Sequence, residues 1–310
     1  MQNMSNNEAT DIDFDEVDAP SSENATEAFA QQTPVGKQEK IKIGIIGSNT
    51  LTKYVQIQFD SPRFLFKVVD LTDNNTIDDL TEWKPNLTFV CVDIPTKKND
   101  LQDDAVLLDI VKKLQANTNG GICLKSTITP ETLERVLGCM TRETYENRFI
   151  YNPELVDTTN LEEMLNNTSD VIGGSEKAIE QHLAFSGIFS IATKDMAIRC
   201  SPFDACFIKL ALSGYKAVAQ TYFNQLADTC YEYEMTNYAI VKKTVDAYVQ
   251  KAQPSLSTPT FIRAKIDKDI SAKKAKAYGG EYLNEEVRVF AGMTDKLSIL
   301  DTCYNIRNKD

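Results

Sequence analysis

The segment Ala277 to Glu286, with the sequence A-Y-G-G-E-Y-L-N-E-E, carries side chains that could do chemistry. Its two adjacent glycines permit a sharp turn or a close backbone approach to a ligand, because glycine has no Cβ. A residue that follows such a turn is presented to a cleft, where binding and catalytic groups are often found. The segment alone leaves its role open, since a plain loop before a helix starting near Glu285 has the same features.

Three further segments have comparable polar runs. Residues 125–132 are K-S-T-I-T-P-E-T, residues 151–155 are Y-N-P-E-L, and Lys209 is followed fifteen residues later by an Asn-Gln pair. The order and spacing of all four segments, over residues 40 to 295, resemble the nucleotide-sugar 6-dehydrogenases, the UDP-glucose and GDP-mannose dehydrogenase family. The corresponding family patterns are K-S-T-V-x-P-G-T, N-P-E-F-L, a catalytic lysine with a following N-E pair, and G-F-G-G-x-C-x-x-K-D.

The resemblance implies an NAD-dependent oxidation of a sugar C6 alcohol in two steps, with a cysteine thiolate that adds to the intermediate aldehyde. It also assigns positions in this chain. The implied catalytic residues are Glu154, Lys209, Asn224, Tyr282 in place of the family cysteine, and Glu286 in place of the family aspartate. The implied cofactor-binding residues are Gly47, Asn49, Asp70, Ser126 and Thr127.

Three departures put the parent reaction in doubt. Tyr282 replaces the nucleophilic cysteine, the Glu285-Glu286 pair replaces Lys-Asp, and Ser213 replaces an asparagine four residues after the lysine. A thiol has a reference pKa near 8.5 and is partly ionised near neutrality, whereas a phenol has a reference pKa of about 10. Tyr282 therefore cannot form the covalent intermediate, although Lys209 could stabilise an oxyanion and Glu154 could orient water or act as a base.

The cofactor turn also departs from the dinucleotide-binding pattern. In a G-x-G-x-x-G turn the glycines serve the tight turn, the close phosphate approach and the helix packing. Residues 47–52 are G-S-N-T-L-T, so Asn49 and Thr52 replace two of the glycines. The Asn49 side chain takes space that the pyrophosphate needs, while Asp70 matches the acid that bonds the adenosine ribose. We expect NAD binding to be weak or lost, and an ordinary NAD site remains the alternative.

The strand pattern that carries these residues predicts an α/β fold. Near-continuous apolar strands at 41–47, 64–70 and 87–92, with further strands at 121–125, 148–151 and 169–172, are typical of a parallel sheet covered on both faces. We predict a Rossmann-like domain over 40–196 and a helical region over 197–310 that contains the glycine segment. Ser201, Pro202 and Asp204 form a capping-box-like start, and the apolar spacing from Phe203 to Glu234 predicts a long helix after it. The resemblance assigns this helix to a homodimer; a buried core helix of a monomer is the alternative.

Residues 1–39 are predicted to be a disordered acidic tail. Residues 1–36 contain eight Asp or Glu and no Lys or Arg, with few large apolar residues to bury. The apolar positions Ile12, Phe14 and Val17 could form a docking motif for a protein partner, or the tail could be a solvated leader. A net charge of −12 argues against nucleic acid as a partner.

Other features narrow the function classes. We expect no membrane span and no signal peptide, and hence a cytoplasmic protein. That the protein is part of a larger assembly, such as a phage particle, is a further alternative. Seven scattered cysteines without a C-x-x-C pair predict free thiols in a reducing compartment. The single histidine, His182, is expected on the surface, so no metal site is predicted.

One helix is predicted from about Glu285 to Ile306, and the chain ends at Asp310. The resembling enzymes continue with a second domain that holds the UDP or GDP moiety, and we expect that domain to be missing here. Two hypotheses follow. The chain is either a catalytically impaired pseudoenzyme, acting as a dimeric structural, assembly or binding protein, or an NAD-dependent oxidoreductase with altered or single-step chemistry. The lost cysteine, the altered glycine turn and the expected missing domain favour the first.

Overall fold

The computed structural model describes residues 40–71, 76–97, 102–155, 170–187, 197–232, 237–252, 283–292 and 298–307. The strands are β1 (Ile41–Ile46), β2 (Phe64–Val69), β3 (Leu87–Val90), β4 (Gly121–Leu124), β5 (Phe149–Tyr151), β6 (Asp170–Gly174) and β7 (Ala197–Cys200). The helices are α1 (Thr50–Gln58), α2 (Ile77–Glu82), α3 (Ala105–Asn117), α4 (Pro130–Gly138), α5 (Arg142–Asn147), α6 (Glu176–Gly187), α7 (Pro202–Glu232), α8 (Tyr238–Ala252), α9 (Leu283–Gly292) and α10 (Ser298–Arg307).

The strands form one sheet in the order β2-β1-β3-β4-β5-β6-β7. All neighbouring pairs are parallel except β5 with β6, which is antiparallel. The predicted α/β, Rossmann-like class is therefore confirmed. The strand order reverses between β1 and β3, and in open parallel sheets the crevice at such a switch point is the usual place for a ligand.

Two apolar layers cover the faces of the sheet, because alternate residues of each central strand point to opposite sides. On one face Ile46, Val90 and Leu124 pack with α2, α3, α4 and the start of α7. On the other face Ile45 and Phe89 pack with α1 and α6. Burial on both faces explains why the strands are near-continuous apolar runs in the sequence.

Side-chain caps fix where the helices begin. Thr129 precedes Pro130 and accepts a hydrogen bond from the backbone N–H of Thr132. At the start of α7, Ser201 Oγ accepts from the N–H of Asp204, and the Asp204 carboxylate accepts from the N–H of Ser201. This reciprocal pair is the capping box that the sequence predicts. The long helix α7 therefore begins one residue after Ser201, close to the predicted position.

The C-terminal region differs from the single helix expected over about 285 to 306. Two helices occur there instead, and α9 ends at Gly292. Both pack on the same point of α7, since a Cβ at Gly214 would lie 3.3 Å from side-chain atoms of Phe290 and of Leu300. The expectation was wrong because glycine ends helices readily while the apolar spacing continues past it.

The domain division stays a prediction. The sheet continues with β7, whose residues Ala197–Cys200 lie just past the predicted domain end at 196. The predicted tail, residues 1–39, lies outside the described residues, as does the lysine-rich segment 263–276.

The expected surface position of His182 is wrong. The imidazole is 6% exposed and packs edge-on against the Phe89 ring, with 6.2 Å between ring centroids. Burial, reinforced by the nearby Lys125 charge, lowers the pKa of His182 from 6.5 to about 3. The surface position was expected because the neighbours of His182 in the sequence are polar, but His182 lies on the one face of α6 that contacts the sheet.

The buried His182 should make the chain sensitive to acid. Below about pH 6.5 the unfolded chain binds a proton that the native imidazole does not bind, so stability falls as the pH falls from about 6.5 toward 3. When the pH is lowered from 7 to 5, the unfolding free energy of both proteins should fall. We expect the fall to be about 2 kcal/mol smaller in His182→Leu than in the unmodified chain. Urea unfolding at the two pH values tests this, and parallel losses in both proteins would contradict it. No other histidine titrates in this range.

Candidate functional site

The turn after β1 is closed by the side chain of Asn49. Its Oδ1 accepts hydrogen bonds from the N–H groups of Leu51 (3.1 Å) and Thr52 (3.4 Å), so it caps α1. Its Nδ2 donates to the carbonyl of Cys91 (2.7 Å) and to the Asp93 carboxylate (3.0 Å), across the switch point at the end of β3. The turn as it stands does not fit a dinucleotide pyrophosphate, because the helix N–H groups that would bind it already have an acceptor.

The other predicted cofactor residues are distributed around this edge of the sheet. Gly47 has φ +124°, and a Cβ there would lie 2.4 Å from the Cys91 carbonyl oxygen, so only glycine fits. Asp70 directly follows β2. Ser126 is buried after β4, and its hydroxyl donates to the carbonyl of Val92 at 2.6 Å. Ser126 thus ties β4 to β3.

A carboxylate at Glu286 joins three segments of the chain. Glu286 Oε1 lies 3.1 Å from Lys209 Nζ on α7 and accepts a hydrogen bond from Thr127 Oγ1 at 3.2 Å. Glu286 Oε2 accepts a hydrogen bond from the hydroxyl of Ser213, one turn after Lys209. The Lys209 and Glu286 side chains are only 8% and 11% exposed. We call these four residues the Glu286 network.

Close packing of α7 positions this network. Gly173 in β6 lies against the start of α7, since a Cβ there would be 2.7 Å from the Cα of Pro202. Gly214, five residues after Lys209, is the point of α7 on which α9 and α10 pack. Glycines at both places bring α7 close to the sheet and to α9, so that side chains from all three meet.

A second ionic cluster lies beside the network, at the ends of β4 and β5. Lys125 Nζ donates to Asn152 Oδ1 at 2.8 Å and lies 3.9 Å from Glu154 Oε2, and all three side chains are buried. Asn152 Nδ2 in turn donates to Asp170 Oδ1 at 2.6 Å. Only Ser126 separates Lys125 from Thr127, so the two centres are adjacent.

Charge pairing keeps Lys125 ionised. Burial on its own lowers the pKa of an ammonium, but the carboxylates of Glu154 and Asp170 outweigh it and raise the pKa of Lys125 above its ordinary value. The same Glu154 charge adds to the effect of burial in raising the pKa of the Tyr54 phenol. Lys125 therefore stays a cation, and Tyr54 does not supply a phenolate near neutrality.

Two predicted catalytic residues are not brought to the network by the described part of the chain. Asn224 is buried on α7, but fifteen helical residues separate it from Lys209, a distance of about 22 Å along the axis. Tyr282 lies outside the described residues.

Cys206 is the cysteine beside the network, but its thiol is not an obvious replacement for the lost nucleophile. Cys206 lies one turn before Lys209 on α7, and its Sγ donates to the carbonyl of Ile128 at 3.1 Å. Burial, reinforced by the Glu131 charge, raises the pKa of Cys206 to about 12. A thiol with that pKa is protonated near neutrality and does not act as a thiolate.

The middle of the chain matches the sequence profile of a known family. Residues 69–189 match the sequence profile described as "UDP-glucose/GDP-mannose dehydrogenase family, NAD binding domain". The resemblance to the nucleotide-sugar dehydrogenases is confirmed. The matched segment contains Asp70, Ser126, Thr127 and Glu154 and begins after the turn at Gly47. A search of curated protein sequences finds no match.

Solved structures of these dehydrogenases share the fold. The UDP-glucose dehydrogenase of Pyrobaculum islandicum aligns with a TM-score of 0.67 at 14% identity, over 89% of this chain and 69% of that protein. The UDP-D-ManNAc dehydrogenase of Pyrococcus horikoshii gives 0.56 at 15% identity, over 87% and 68%. The GDP-mannose dehydrogenase of Pseudomonas aeruginosa gives 0.54 at 16% identity, over 86% and 68%. Identities this low support the fold and not the reaction.

Sequence reasoning missed several polar partners. Lys125, Asn152 and Asp170 could have been suspected only as polar residues that follow or begin predicted strands, since the carboxyl ends of parallel strands share one edge. Among the described residues no group of three His, Cys, Asp or Glu side chains could hold a metal ion. Within the same ranges, no helix is long and apolar enough to cross a bilayer.

The Glu286 network should respond strongly to loss of one charge. Glu286→Gln leaves the Lys209 ammonium buried without its counter-ion, so we expect a loss of about 3 kcal/mol in unfolding free energy. The double variant Lys209→Met/Glu286→Leu should lose less, because no charge is left unpaired. Urea unfolding measures both.

An exposed ion pair provides the matched control. Arg142 and Glu146 lie 2.6 Å apart with side chains 88% and 46% exposed. Glu146→Gln should cost less than about 1 kcal/mol. Equal losses for Glu286→Gln and Glu146→Gln would show that the network is not a buried charge pair.

Proposed function

We propose that this chain is a nucleotide-sugar dehydrogenase-like protein that does not carry out the family's oxidation and acts as a dimeric structural, assembly or binding protein. The closed cofactor turn is the observation that carries the proposal, since Asn49 already satisfies the N–H groups of Leu51 and Thr52. Hydride transfer needs a bound nicotinamide, and a weakened pyrophosphate site weakens that binding.

The residues of the Glu286 network support the same proposal. The Lys209 ammonium, which would stabilise an oxyanion, lies 3.1 Å from the Glu286 carboxylate. That carboxylate also accepts hydrogen bonds from the hydroxyls of Thr127 and Ser213. An ammonium neutralised in this way is a weaker electrostatic stabiliser than a free one. Tyr282 stands where the family has cysteine and cannot supply a thiolate for the second oxidation step.

An active oxidoreductase is the second candidate. It is favoured by the meeting of Thr127, Lys209 and Glu286 from three distant segments. The resemblance assigns Thr127 to cofactor binding and the other two to catalysis. Without a nucleophile, such an enzyme would interconvert an alcohol and an aldehyde of a nucleotide sugar in a single step, with NAD as the hydride acceptor.

Catalysis distinguishes the two candidates. We expect the purified chain to produce no NADH from UDP-glucose or GDP-mannose at saturating NAD. The absorbance of NADH measures this. Tyr282→Cys alone should not restore the four-electron oxidation, because Asn49 still closes the turn. Steady NADH production by the unmodified chain, abolished by Lys209→Ala, would establish the oxidoreductase instead.

The dimer is proposed from the exposed face of α7. Large apolar side chains recur there at intervals of four, eight and seven residues and remain solvent-exposed among the described residues. Phe203, Phe207, Tyr215 and Tyr222 are 39%, 47%, 42% and 54% exposed. An apolar stripe along a helix of 31 residues is the kind of surface that a symmetric copy covers.

Sedimentation tests the dimer directly. The unmodified chain should sediment at twice its mass of 34.7 kDa at micromolar concentration. Phe207→Glu/Tyr215→Glu should sediment as a monomer, because it places charges in the proposed interface. Val106→Glu is the matched control, since Val106 is 55% exposed and lies on α3 instead of α7, and this variant should stay dimeric. A monomeric unmodified chain contradicts the proposal.

A further inference from the structure

The contacts of Asn49 join two sides of the switch-point crevice. Its Oδ1 accepts from the first N–H groups of α1, and its Nδ2 reaches the carbonyl of Cys91 and the carboxylate of Asp93 at the end of β3. The two bonds of Nδ2 join the turn after β1 to the end of β3, whereas the two bonds to Oδ1 lie within the turn itself. The side chain therefore stands where a phosphate would accept the same N–H groups.

We propose that Asn49 is an internal latch that occupies the place of a ligand phosphate, and that removing its side chain opens a site for an adenine nucleotide. The proposal concerns binding and does not depend on whether the chain transfers hydride. Asp93 holds the amide nitrogen of the latch at 3.0 Å, and its negative charge also disfavours a phosphate at the same place.

The rest of the turn is already shaped for a close backbone approach. Gly47 has φ +124°, as a glycine turn requires, and it fits against Cys91 without a side chain. Thr52 is buried and its hydroxyl donates to the Gly47 carbonyl at 2.8 Å, which fixes α1 independently of Asn49. Glycine at position 49 would recreate the second glycine of the dinucleotide pattern and leave this contact unchanged.

Calorimetric titration of the full chain with ADP and with adenosine tests the latch, because the two ligands differ only in their phosphates. We expect the unmodified chain to bind ADP no more tightly than adenosine. Asn49→Gly should bind ADP at least tenfold more tightly than the unmodified chain does, with adenosine affinity changed less than twofold. Asn49→Ser keeps a capping oxygen but is too short to span to Cys91, so it should also gain ADP affinity, by a smaller factor.

A matched control separates the latch from the loss of a helix cap. Thr141 caps α5, where its hydroxyl accepts from the N–H of Thr144 at 3.1 Å, away from the crevice. Thr141→Gly should lose some stability and gain no ADP affinity.

Two results would overturn the latch. One is an unmodified chain that binds ADP tenfold more tightly than adenosine. The other is the absence of any ADP gain in the folded Asn49→Gly chain, or in Asn49→Ser if Asn49→Gly does not fold. The NADH assay is a separate measurement, so failure of the latch and failure of the proposed function are distinguishable.

Discussion

The buried pairing of Lys209 with Glu286 is the constraint on which the arrangement of this site depends. Two charges held mostly out of water are tolerated only when they neutralise each other and their remaining hydrogen-bonding capacity is used. Thr127 and Ser213 complete that requirement. Because the four residues come from the end of β4, from α7 and from α9, their pairing fixes how the C-terminal helices meet the sheet.

In the cofactor turn, too, polar groups are hydrogen-bonded by other groups of the same chain. Unpaired N–H groups at a helix N-terminus are normally offered to water, to a cap or to an anion. Asn49 supplies the cap and, with its other end, bonds to β3. A ligand that enters must therefore replace protein hydrogen bonds, whereas an open turn would give up only bonds to water. This difference in starting state lowers affinity even if the bound geometry were unchanged.

The sequence predicted the sheet well because its strands are buried on both faces, and near-continuous apolar runs such as 41–47 leave few alternatives. It predicted the start of α7 from the local pair Ser201 and Asp204, which lie three residues apart. The position of His182 was missed because it depends on one helical face. The bond between Asn49 and Asp93 spans 44 residues and the bond between Ser213 and Glu286 spans 73, so no local pattern could reveal either.

The departures from the family pattern at the network are physically related. By the resemblance, Glu286 stands where the family pattern has aspartate, which is one methylene shorter, and Ser213 stands where it has the longer asparagine. The longer Glu286 side chain reaches the shorter Ser213 side chain. Its carboxylate accepts a hydrogen bond from the Ser213 hydroxyl and is the counter-ion of Lys209. Changes that damage a buried charge cluster independently would leave an unpaired group at a cost of several kcal/mol. The pairing of Glu286 with Lys209 therefore meets a requirement of the fold, which is separate from any chemistry at this site.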